Sequence, residues 1–237
     1  MIYKYNDFIN ENKQNNFNHI IDYTFLKTNA TIDDIKKVCE DAEEKNYYTV
    51  CVRPENVATA KAFLEENDVL VCTVVSFPDG DDSTNAKLKE TQRAISDGAD
   101  EIDMVMNYKQ LKELSIKQDE EYTEIHDDIL DDIKQIARLC HSEGVLLKVI
   151  IEVEELNFNE IMIACKICTE AGADFVKTST GFSKMNKPFS DKLEKIKYMR
   201  KILPDYMKIK VSGGIRNKEQ IESVLPFVDR IGTSIIL

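Results

Sequence analysis

The stretch Val69-Leu70-Val71-Cys72-Thr73-Val74-Val75 is a nearly unbroken run of apolar and β-branched residues. A strand with one face in solvent alternates apolar and polar residues, whereas a strand buried on both faces does not. Strands of the second kind belong to parallel sheets whose two faces are covered by helices. The run therefore predicts an α/β protein with a parallel sheet.

Shorter apolar runs lie on both sides of this stretch, and helical patterns separate them. Strands are predicted at 19–24, 48–52, 69–75, 100–106, 145–152, 175–176, 208–211 and 228–231. Helices are predicted at 31–42, 55–66, 85–97, 123–143, 159–171, 190–203 and 217–225. Eight alternating units predict a closed TIM (β/α)8 barrel. An open doubly wound sheet is the alternative, although no G-x-G-x-x-G motif follows any strand.

The composition limits the possible partners. The 237 residues have a formal net charge of −12, which argues against nucleic-acid binding because a phosphate backbone needs a basic face. No apolar stretch approaches the roughly 18 residues of a transmembrane helix, and the N-terminus lacks the apolar core of a signal peptide. We therefore expect a cytoplasmic protein without a nucleic-acid or membrane partner. Its expected parts are a polar lead-in at 1–17 and a single barrel domain at 18–237.

The cysteines and histidines do not form the pattern of a metal site. Six cysteines are spread along the chain without the spacing of a disulfide framework, which indicates a reducing compartment. Cys165 and Cys168 have CxxC spacing, but they lie within a helical pattern without a second cysteine pair, so we interpret them as structural. The three histidines are scattered, and we do not expect a histidine-bound catalytic metal.

A lysine ends the sixth predicted strand, in the stretch 173–181 that reads ADFVKTSTG. Burial disfavours the charged form of lysine, and a neutral amine can attack a carbonyl carbon to form a Schiff base. Taken alone, Lys177 is better explained as a lysine whose charged end reaches solvent at the end of a strand. Other charged residues in or after predicted strands change this balance; they are Asp22, Asp103, Lys148, Glu152 and Lys210.

These charged residues would meet at one end of a barrel. Active sites of such barrels lie at the carboxyl ends of the strands, and unpaired buried charges are too costly to be explained by stability alone. Lys210 near Lys177 would disfavour protonation of the Lys177 amine and keep it nucleophilic. Asp103 could transfer protons during bond cleavage, and Asp22 could orient the other groups.

Two glycine-rich turns predict a site for an anion. Gly213 and Gly214 follow the seventh predicted strand, and Gly232-Thr233-Ser234 follows the eighth. In barrels, the loops after these two strands often hold a phosphate through backbone N–H groups, where glycine allows close approach. Arg216 either adds positive charge to this site or faces solvent.

Taken together, the sequence resembles the deoxyribose-phosphate aldolases, a family of class I aldolases with a TIM-barrel fold. The resemblance extends from about His19 to Ser234, and its motifs occur in the family's order. They are 21–24 (IDYT), 50–54 (VCVRP), 73–78 (TVVSFP), 98–105 (GADEIDMV), 147–152 (LKVIIE), 173–182 (ADFVKTSTGF) and 210–216 (KVSGGIR).

The resemblance implies reversible cleavage of 2-deoxy-D-ribose 5-phosphate to D-glyceraldehyde 3-phosphate and acetaldehyde, without a metal or organic cofactor. It implies that Lys177 forms the Schiff base and that Lys210 tunes its amine. It implies proton transfer by Asp103, with support from Asp22. The other implied residues are Thr24 and Thr180 near the sugar hydroxyls, and Gly181, Gly213, Gly214, Gly232 and Ser234 around the phosphate. Members of the family are often dimers, so a homodimer is the expected assembly.

The sequence departs from the family pattern at three places. Tyr23 stands where many members have His or an aliphatic residue, and Phe182 stands where some have a lysine next to the phosphate. After Ser234 only three residues follow, where the family often continues into a final helix. We therefore expect a truncated or missing final helix and a weaker hold on the phosphate, because a helix N-terminus favours anions.

Two other functions stay open at this point. One is a phosphate-binding barrel isomerase or synthase that uses acid–base chemistry without a Schiff base. The other is a barrel with impaired catalysis that acts as a binding or regulatory protein. The first would be insensitive to borohydride, and the second would not turn over a deoxyribose phosphate.

Overall fold

The computed structural model describes residues 17–114, 116, 119–185 and 187–236, so residues 1–16 of the expected lead-in lie outside the described part. The strands are β1 (Ile21–Phe25), β2 (Thr49–Val52), β3 (Leu70–Val75), β4 (Glu101–Val105), β5 (Leu146–Ile150), β6 (Phe175–Lys177), β7 (Lys208–Val211) and β8 (Arg230–Thr233). The α-helices are α1 (Ile32–Lys45), α2 (Val57–Phe63), α3 (Thr84–Ser96), α4 (Tyr108–Leu114), α5 (Asp119–Ser142), α6 (Phe158–Ala171), α7 (Phe189–Ile202) and α8 (Lys218–Val224).

The eight strands form a closed parallel barrel in the order β1 to β8, which confirms the predicted TIM-barrel architecture. Each strand pairs with its neighbour in sequence, and β1 pairs with β8 through the register Asp22 to Gly232. Because β1 and β8 close the ring, the sheet has no open edge. The open doubly wound sheet, which has two edges, is therefore wrong.

Several helices begin or end at residues that satisfy free backbone groups. Thr31 and Asp34 form a capping box at the start of α1, and Asn157 and Glu160 form another at the start of α6. Gly172 ends α6 in a left-handed conformation, where a residue without Cβ fits best. These local contacts fix where α1 and α6 start and where α6 ends.

The decisive strand β3 is buried on both faces, as its apolar run predicts. Val71 and Val75 belong to the main hydrophobic core, which also includes residues of the surrounding helices. Cys72 and Val74 belong to a separate small cluster with Cys51 of β2. The alternation of side chains along a strand explains this division between two faces. Much of the remaining space inside the barrel is filled by charged side chains.

Two local features differ from the sequence prediction. Helix α4 was not expected, because its two buried apolar residues, Leu111 and Leu114, are too few to show a helical period. Strand β8 lies two residues later than predicted, so Gly232 and Thr233 are within the strand and not in a turn after it. Glycine favours turns by its conformation, but at Gly232 the barrel uses its lack of a side chain, since a Cβ there would lie 3.2 Å from Lys210 Cε.

None of the helices in the described part of the chain combines the length and the hydrophobicity of a membrane-spanning segment.

Candidate active site

Lys177 is the last residue of β6 and lies directly beside Lys210 of β7 in the sheet register. Both side chains are buried, with 3% of Lys177 and 0% of Lys210 exposed. Lys177 is the one that reaches a cavity of about 580 Å³ at the carboxyl end of the barrel. The predicted pairing of these two lysines is present, and a neighbouring strand supplies the second ammonium group.

Asp103 of β4 joins the two lysines. Its Oδ2 atom lies 2.6 Å from Lys177 Nζ and 2.7 Å from Lys210 Nζ, so both ammonium groups donate to one oxygen. Its Oδ1 atom accepts from Lys148 Nζ at 2.9 Å. The carboxylate therefore holds three ammonium groups from β5, β6 and β7 around one point.

A second layer of charge lies next to Asp103 inside the barrel. Asp22 of β1 pairs with Lys210 and accepts from Arg230 Nη1 at 2.7 Å. Arg230 Nη2 also donates to Glu101 at 3.3 Å, and Lys148 Nζ lies 2.6 Å from Glu101 Oε2. We call this group the interior charge cluster; its members are Asp22, Glu101, Asp103, Lys148, Lys177, Lys210 and Arg230.

Two members of the cluster, Glu101 and Arg230, were not among the site residues predicted from the sequence. The alternation of side chains along a strand could have identified them, because residues two positions apart point to the same face. Glu101 shares a face with Asp103, and Arg230 shares a face with Gly232. Arg230 is also stacked on the ring of Tyr48, with 3.7 Å between the guanidinium carbon and the ring centroid. Such stacking and the planar fork of its donors suit arginine to a buried position of this kind.

The cluster controls the protonation of its members. Burial alone would raise the pKa of Asp103, but the ammonium groups of Lys148, Lys177 and Lys210 hold it well below its usual range. Burial also acts to lower the pKa of Lys210, but Asp103 and Asp22 raise it above its ordinary value. Asp103 is therefore ionised and Lys210 is charged at neutral pH.

Eight of the predicted site residues line the cavity at Lys177. Asp22, Asp103 and Lys210 do not line it and are fully buried. The predicted residues that line it are Thr24, Lys177, Thr180, Gly181, Gly213, Gly214, Gly232 and Ser234. Arg216, whose role the sequence left open, is exposed and lines the same cavity. Phe182 also lines it and packs edge-on against Phe77, with 5.2 Å between ring centroids.

Glu152 positions Thr180 at the wall of this cavity. It follows β5 in a left-handed conformation, is 2% exposed, and accepts from both the backbone N–H and the hydroxyl of Thr180. Burial raises the pKa of Glu152 to about 7; the hydrogen bond from Thr180 opposes this shift and the nearby Glu154 carboxylate adds to it. Glu152 therefore changes its protonation near neutral pH.

We expect Glu152→Gln to change how stability depends on pH. The pKa of Glu152 is about 7 in the folded protein and 4.5 ordinarily, so the folded state binds this proton more tightly. Wild-type stability thus falls as the pH rises from about 4.5 to about 7, by on the order of 3 kcal/mol from this group. Glutamine does not titrate, so the variant gains stability relative to wild type between pH 5 and pH 8, as measured by urea unfolding.

The exposed Glu65 provides the control for this experiment. Glu65→Gln also removes one carboxylate, but its stability relative to wild type should be the same at both pH values. If the stability difference between Glu152→Gln and wild type were also independent of pH, the assignment of a raised pKa to Glu152 would be contradicted.

The cysteines of the barrel interior lie close to the carboxylates. Ligand atoms of Cys51, Cys72 and Asp103 lie within 4.8 Å of one another, a spacing that could hold a metal ion. The ammonium groups of Lys148, Lys177 and Lys210 already pair with the Asp103 carboxylate, so a metal ion would have to compete with them. These carboxylates are better suited to hold protons and ammonium groups than a metal.

The CxxC pair lies away from this site. Cys165 and Cys168 are buried in α6, as predicted, and burial raises the pKa of the Cys165 thiol to about 12. A thiol of this kind stays protonated and is a poor nucleophile or metal ligand at neutral pH. Their placement agrees with a packing role.

Comparison with known proteins places the chain in a family. The family model for the DeoC/LacD family aldolase matches residues 7–232. The chain is 44% identical to the deoxyribose-phosphate aldolase of Caldicellulosiruptor saccharolyticus over 216 residues, which cover 90% of this chain and 92% of that protein.

Two solved structures share the fold over nearly the whole chain. The structure of a putative deoxyribose-phosphate aldolase from Coccidioides immitis matches with a TM-score of 0.81 and 32% identity, covering 98% of this chain and 93% of that one. The tetrameric deoxyribose phosphate aldolase from Aeropyrum pernix matches with a TM-score of 0.79 and 26% identity, covering 95% and 92%. With its lysine-rich barrel interior and these matches, the chain belongs to the DeoC/LacD family of aldolases, and the resemblance of its motifs is confirmed.

Proposed function

We propose that the protein is a class I aldolase that reversibly cleaves 2-deoxy-D-ribose 5-phosphate to acetaldehyde and D-glyceraldehyde 3-phosphate. The observation that carries this proposal is the position of Lys177. Its amine reaches the cavity, while a second ammonium group, that of Lys210, donates to the same carboxylate oxygen. The substrate is supported by the relatives whose names specify deoxyribose phosphate.

The charge balance of the interior charge cluster favours Lys177 as the nucleophile. If every member is ionised, four cations face three carboxylates, which leaves a net buried positive charge of one. Such a charge is costly, and the loss of one proton removes it. Among the described residues, Lys177 pairs with Asp103 alone, whereas Lys210 pairs with two carboxylates and Lys148 contacts three. Lys177 is therefore the lysine of the cluster with the fewest carboxylate partners, which supports it as the proposed nucleophile.

The chemistry then begins at the aldehyde carbon C1 of the open-chain sugar. The neutral amine of Lys177 attacks C1 to give a carbinolamine, and loss of water gives a protonated Schiff base. The C3 hydroxyl next loses its proton and the C2–C3 bond breaks, with its electron pair moving towards the iminium nitrogen. Glyceraldehyde 3-phosphate leaves, C2 of the resulting enamine takes up a proton, and hydrolysis releases acetaldehyde and the free amine.

Asp103 handles protons beside the reacting nitrogen. Its Oδ2 atom lies within hydrogen-bond reach of Lys177 Nζ, which is the distance that general acid–base catalysis requires. When Lys177 becomes neutral, Asp103 loses one of the cations that hold its pKa down, and its affinity for a proton rises. The carboxylate can therefore take up a proton transiently and return it as the carbinolamine loses water.

The phosphate end of the substrate lies at the glycine-rich turns in this proposal. Gly181, Gly213 and Gly214 line the cavity together with Ser234, and glycines let backbone N–H groups approach an anion closely. Thr24 and Thr180 line the same cavity and face the sugar hydroxyls. Arg216 at the rim supplies positive charge in a protein that is acidic overall.

The remaining expectations stay as proposals of the same kind. We propose that the enzyme is a single barrel domain over 18–237 after a lead-in at 1–17, and that it works in the cytoplasm without a metal or organic cofactor. Its six cysteines are free and buried, as a reducing compartment would allow. A homodimer is the proposed assembly; the solved relative from Aeropyrum pernix is a tetramer, so assembly differs among such proteins.

Borohydride trapping tests the Schiff base directly. The enzyme is incubated with acetaldehyde and sodium borohydride, digested, and its peptides are weighed by mass spectrometry. We expect an added ethyl group on Lys177 and loss of activity in proportion to labelling. A parallel assay couples the glyceraldehyde 3-phosphate released from deoxyribose 5-phosphate to the oxidation of a reduced nicotinamide cofactor.

The alternatives predict different results. An isomerase or synthase that uses acid–base chemistry gives no ethyl adduct, and a binding protein gives neither adduct nor turnover. An adduct on a lysine other than Lys177, with turnover intact, would keep the reaction and overturn the assignment of the nucleophile.

A further inference from the structure

Lys192 of α7 is a buried lysine outside the interior charge cluster, and its ammonium group is fully used. Only 7% of the residue is exposed. Its Nζ atom donates to the carbonyl oxygen of Ser212 at 2.7 Å and to that of Gly213, and it lies 2.6 Å from Glu154 Oε1. These three partners match the three donors of an ammonium group.

The two carbonyls belong to the turn that lines the proposed phosphate end of the cavity. Gly213 and Gly214 both have positive φ, and they touch the cavity above Lys177. They also border a second cavity of about 480 Å³, which Lys192 and Glu154 line as well. Lys192 therefore holds the turn without lining the cavity that contains Lys177.

The geometry of the peptide bond fixes where the N–H groups of this turn point. The peptides that join Ser212, Gly213 and Gly214 are trans, so each N–H points away from the carbonyl oxygen of the same peptide. Because both carbonyl oxygens are held by Lys192, the N–H groups of Gly213 and Gly214 point away from Lys192. Neither N–H has a hydrogen-bond partner within the described part of the chain.

The ammonium group also makes these N–H groups better donors. A positive charge on a carbonyl oxygen polarises the whole peptide, and hydrogen bonds in such chains strengthen one another. Two polarised and unpaired N–H groups side by side are suited to an anion such as phosphate. The positive charge of Lys192 thus strengthens anion binding indirectly, by polarising the two peptide groups whose N–H groups would donate to the anion.

Glu154 keeps Lys192 in place when the cavity is empty. Its Oε2 atom accepts from the hydroxyl of Ser179 at 2.6 Å, and Ser212 Oγ donates to the carbonyl of Ser179 at 2.6 Å. These contacts tie the loop after β6 to the turn after β7. Burial acts to raise the pKa of Glu154, but Lys192 lowers it below its ordinary value, so Glu154 stays ionised.

We infer that Lys192, held by Glu154, is a positioning residue for phosphate recognition, acting by orienting and polarising the N–H groups of Gly213 and Gly214. This inference rests on the proposed function, because it assumes that the phosphate of the substrate lies at this turn. It explains how the site binds an anion although Phe182 occupies a position where a lysine side chain could have contacted it.

The test compares phosphorylated and unphosphorylated ligands. Steady-state kinetics are measured with 2-deoxy-D-ribose 5-phosphate and with 2-deoxy-D-ribose, and binding of inorganic phosphate is measured by titration calorimetry. For Lys192→Met we expect KM for the phosphorylated sugar and Kd for inorganic phosphate to rise by about 10- to 30-fold. The kcat/KM for the unphosphorylated sugar should change by less than about threefold, since Lys192 does not contact the reacting atoms.

A matched control is available one turn later on the same helix. Lys195 is 5% exposed, pairs with Asp191 at 3.0 Å, and donates to the carbonyl of Val153 at 2.8 Å. Lys195→Met removes an equally buried ammonium that holds a different carbonyl. We expect it to affect both sugars equally and to leave the Kd for inorganic phosphate unchanged.

A double variant distinguishes the effect of losing the Lys192 ammonium group from the effect of leaving the Glu154 carboxylate unpaired. Lys192→Met with Glu154→Gln removes both charges, so the fold is not burdened by a buried unpaired carboxylate. We expect the same rise in KM and in Kd for phosphate as in Lys192→Met alone. Recovery of wild-type phosphate affinity in the double variant would overturn the inference, because repulsion by Glu154 would then explain the loss.

Failure of the inference and failure of the proposed function are distinguishable. If wild type forms the Lys177 adduct and cleaves the phosphorylated sugar, but Lys192→Met weakens both sugars equally, the inference is wrong and the function stands. If wild type neither forms the adduct nor cleaves the sugar, the proposed function is wrong. Calorimetry with inorganic phosphate then still decides whether Lys192 supports an anion site at this turn.

Discussion

Lys177→Met is expected to lower kcat/KM for deoxyribose 5-phosphate by at least about 10⁴-fold, because the proposed covalent route through the Schiff base disappears. The same variant should give no borohydride-trapped ethyl adduct. It should nevertheless fold normally, since the interior charge cluster would keep three cations for three carboxylates and Asp103 would retain Lys148 and Lys210. We expect its free energy of unfolding to lie within about 1 kcal/mol of that of wild type, below the cost of a typical destabilising core change.

Lys177→Arg is the matched variant for this prediction. Arginine keeps a positive charge that can pair with Asp103, but its guanidinium does not lose its proton and cannot attack a carbonyl. We expect it to be as inactive as Lys177→Met. Appreciable activity in either variant, measured after exclusion of wild-type contamination, would show that Lys177 is not the nucleophile.

Lys210→Met is expected to lower kcat/KM by on the order of 10²- to 10³-fold at pH 7 and to recover part of it at alkaline pH. Lys210 and Lys177 donate to the same Asp103 oxygen, so the Lys210 charge disfavours a second positive charge on Lys177. Without that charge, the ammonium form of Lys177 is favoured, and a higher pH is needed to produce the neutral amine. The measurement is the pH dependence of kcat/KM in both proteins, together with the rate of borohydride trapping at each pH.

Lys210→Arg distinguishes the effect of the positive charge at position 210 from the effect of any substitution that disturbs the packing of the site. It keeps a permanent positive charge between Asp22 and Asp103, so the alkaline limb of its pH profile should stay near that of wild type even if the larger side chain lowers the rate. Gly232 lies close to the Lys210 side chain, which leaves little room for the extra atoms. If Lys210→Met loses activity equally at every pH, Lys210 has a structural role, and the proposal that its charge disfavours protonation of Lys177 is wrong.

The alternation of strands and helices was readable because each element carries its own local signal. Apolar runs as in β3 predicted buried strands, and Thr31 predicted the start of α1. The signal failed where an element is short. Helix α4 has only two buried apolar residues, and β8 contains a glycine that resembles a turn residue.

The central site residues were also readable, for a similar reason. Lys177 follows two apolar residues of β6, and Lys210 and Asp103 each lie between two apolar residues of β7 and β4, so each stands out among its nearest neighbours. Arg230 and Glu101 did not stand out, because each lies at the first position of a strand, where a charged residue is common. Their importance comes from each other and from Asp22, since Arg230 donates to both.

The sequence by itself therefore determined the barrel and singled out Lys177, Lys210 and Asp103 as site candidates, because these depend on patterns within single elements. The tertiary structure alone decided which charges meet. Arg230 reaches Asp22 across 208 positions of the chain, and Lys192 holds the turn at Gly213 while pairing with Glu154 from another loop. Such contacts depend on the closure of the barrel and on the register of its strands, and no local pattern encodes the partner of a buried charge.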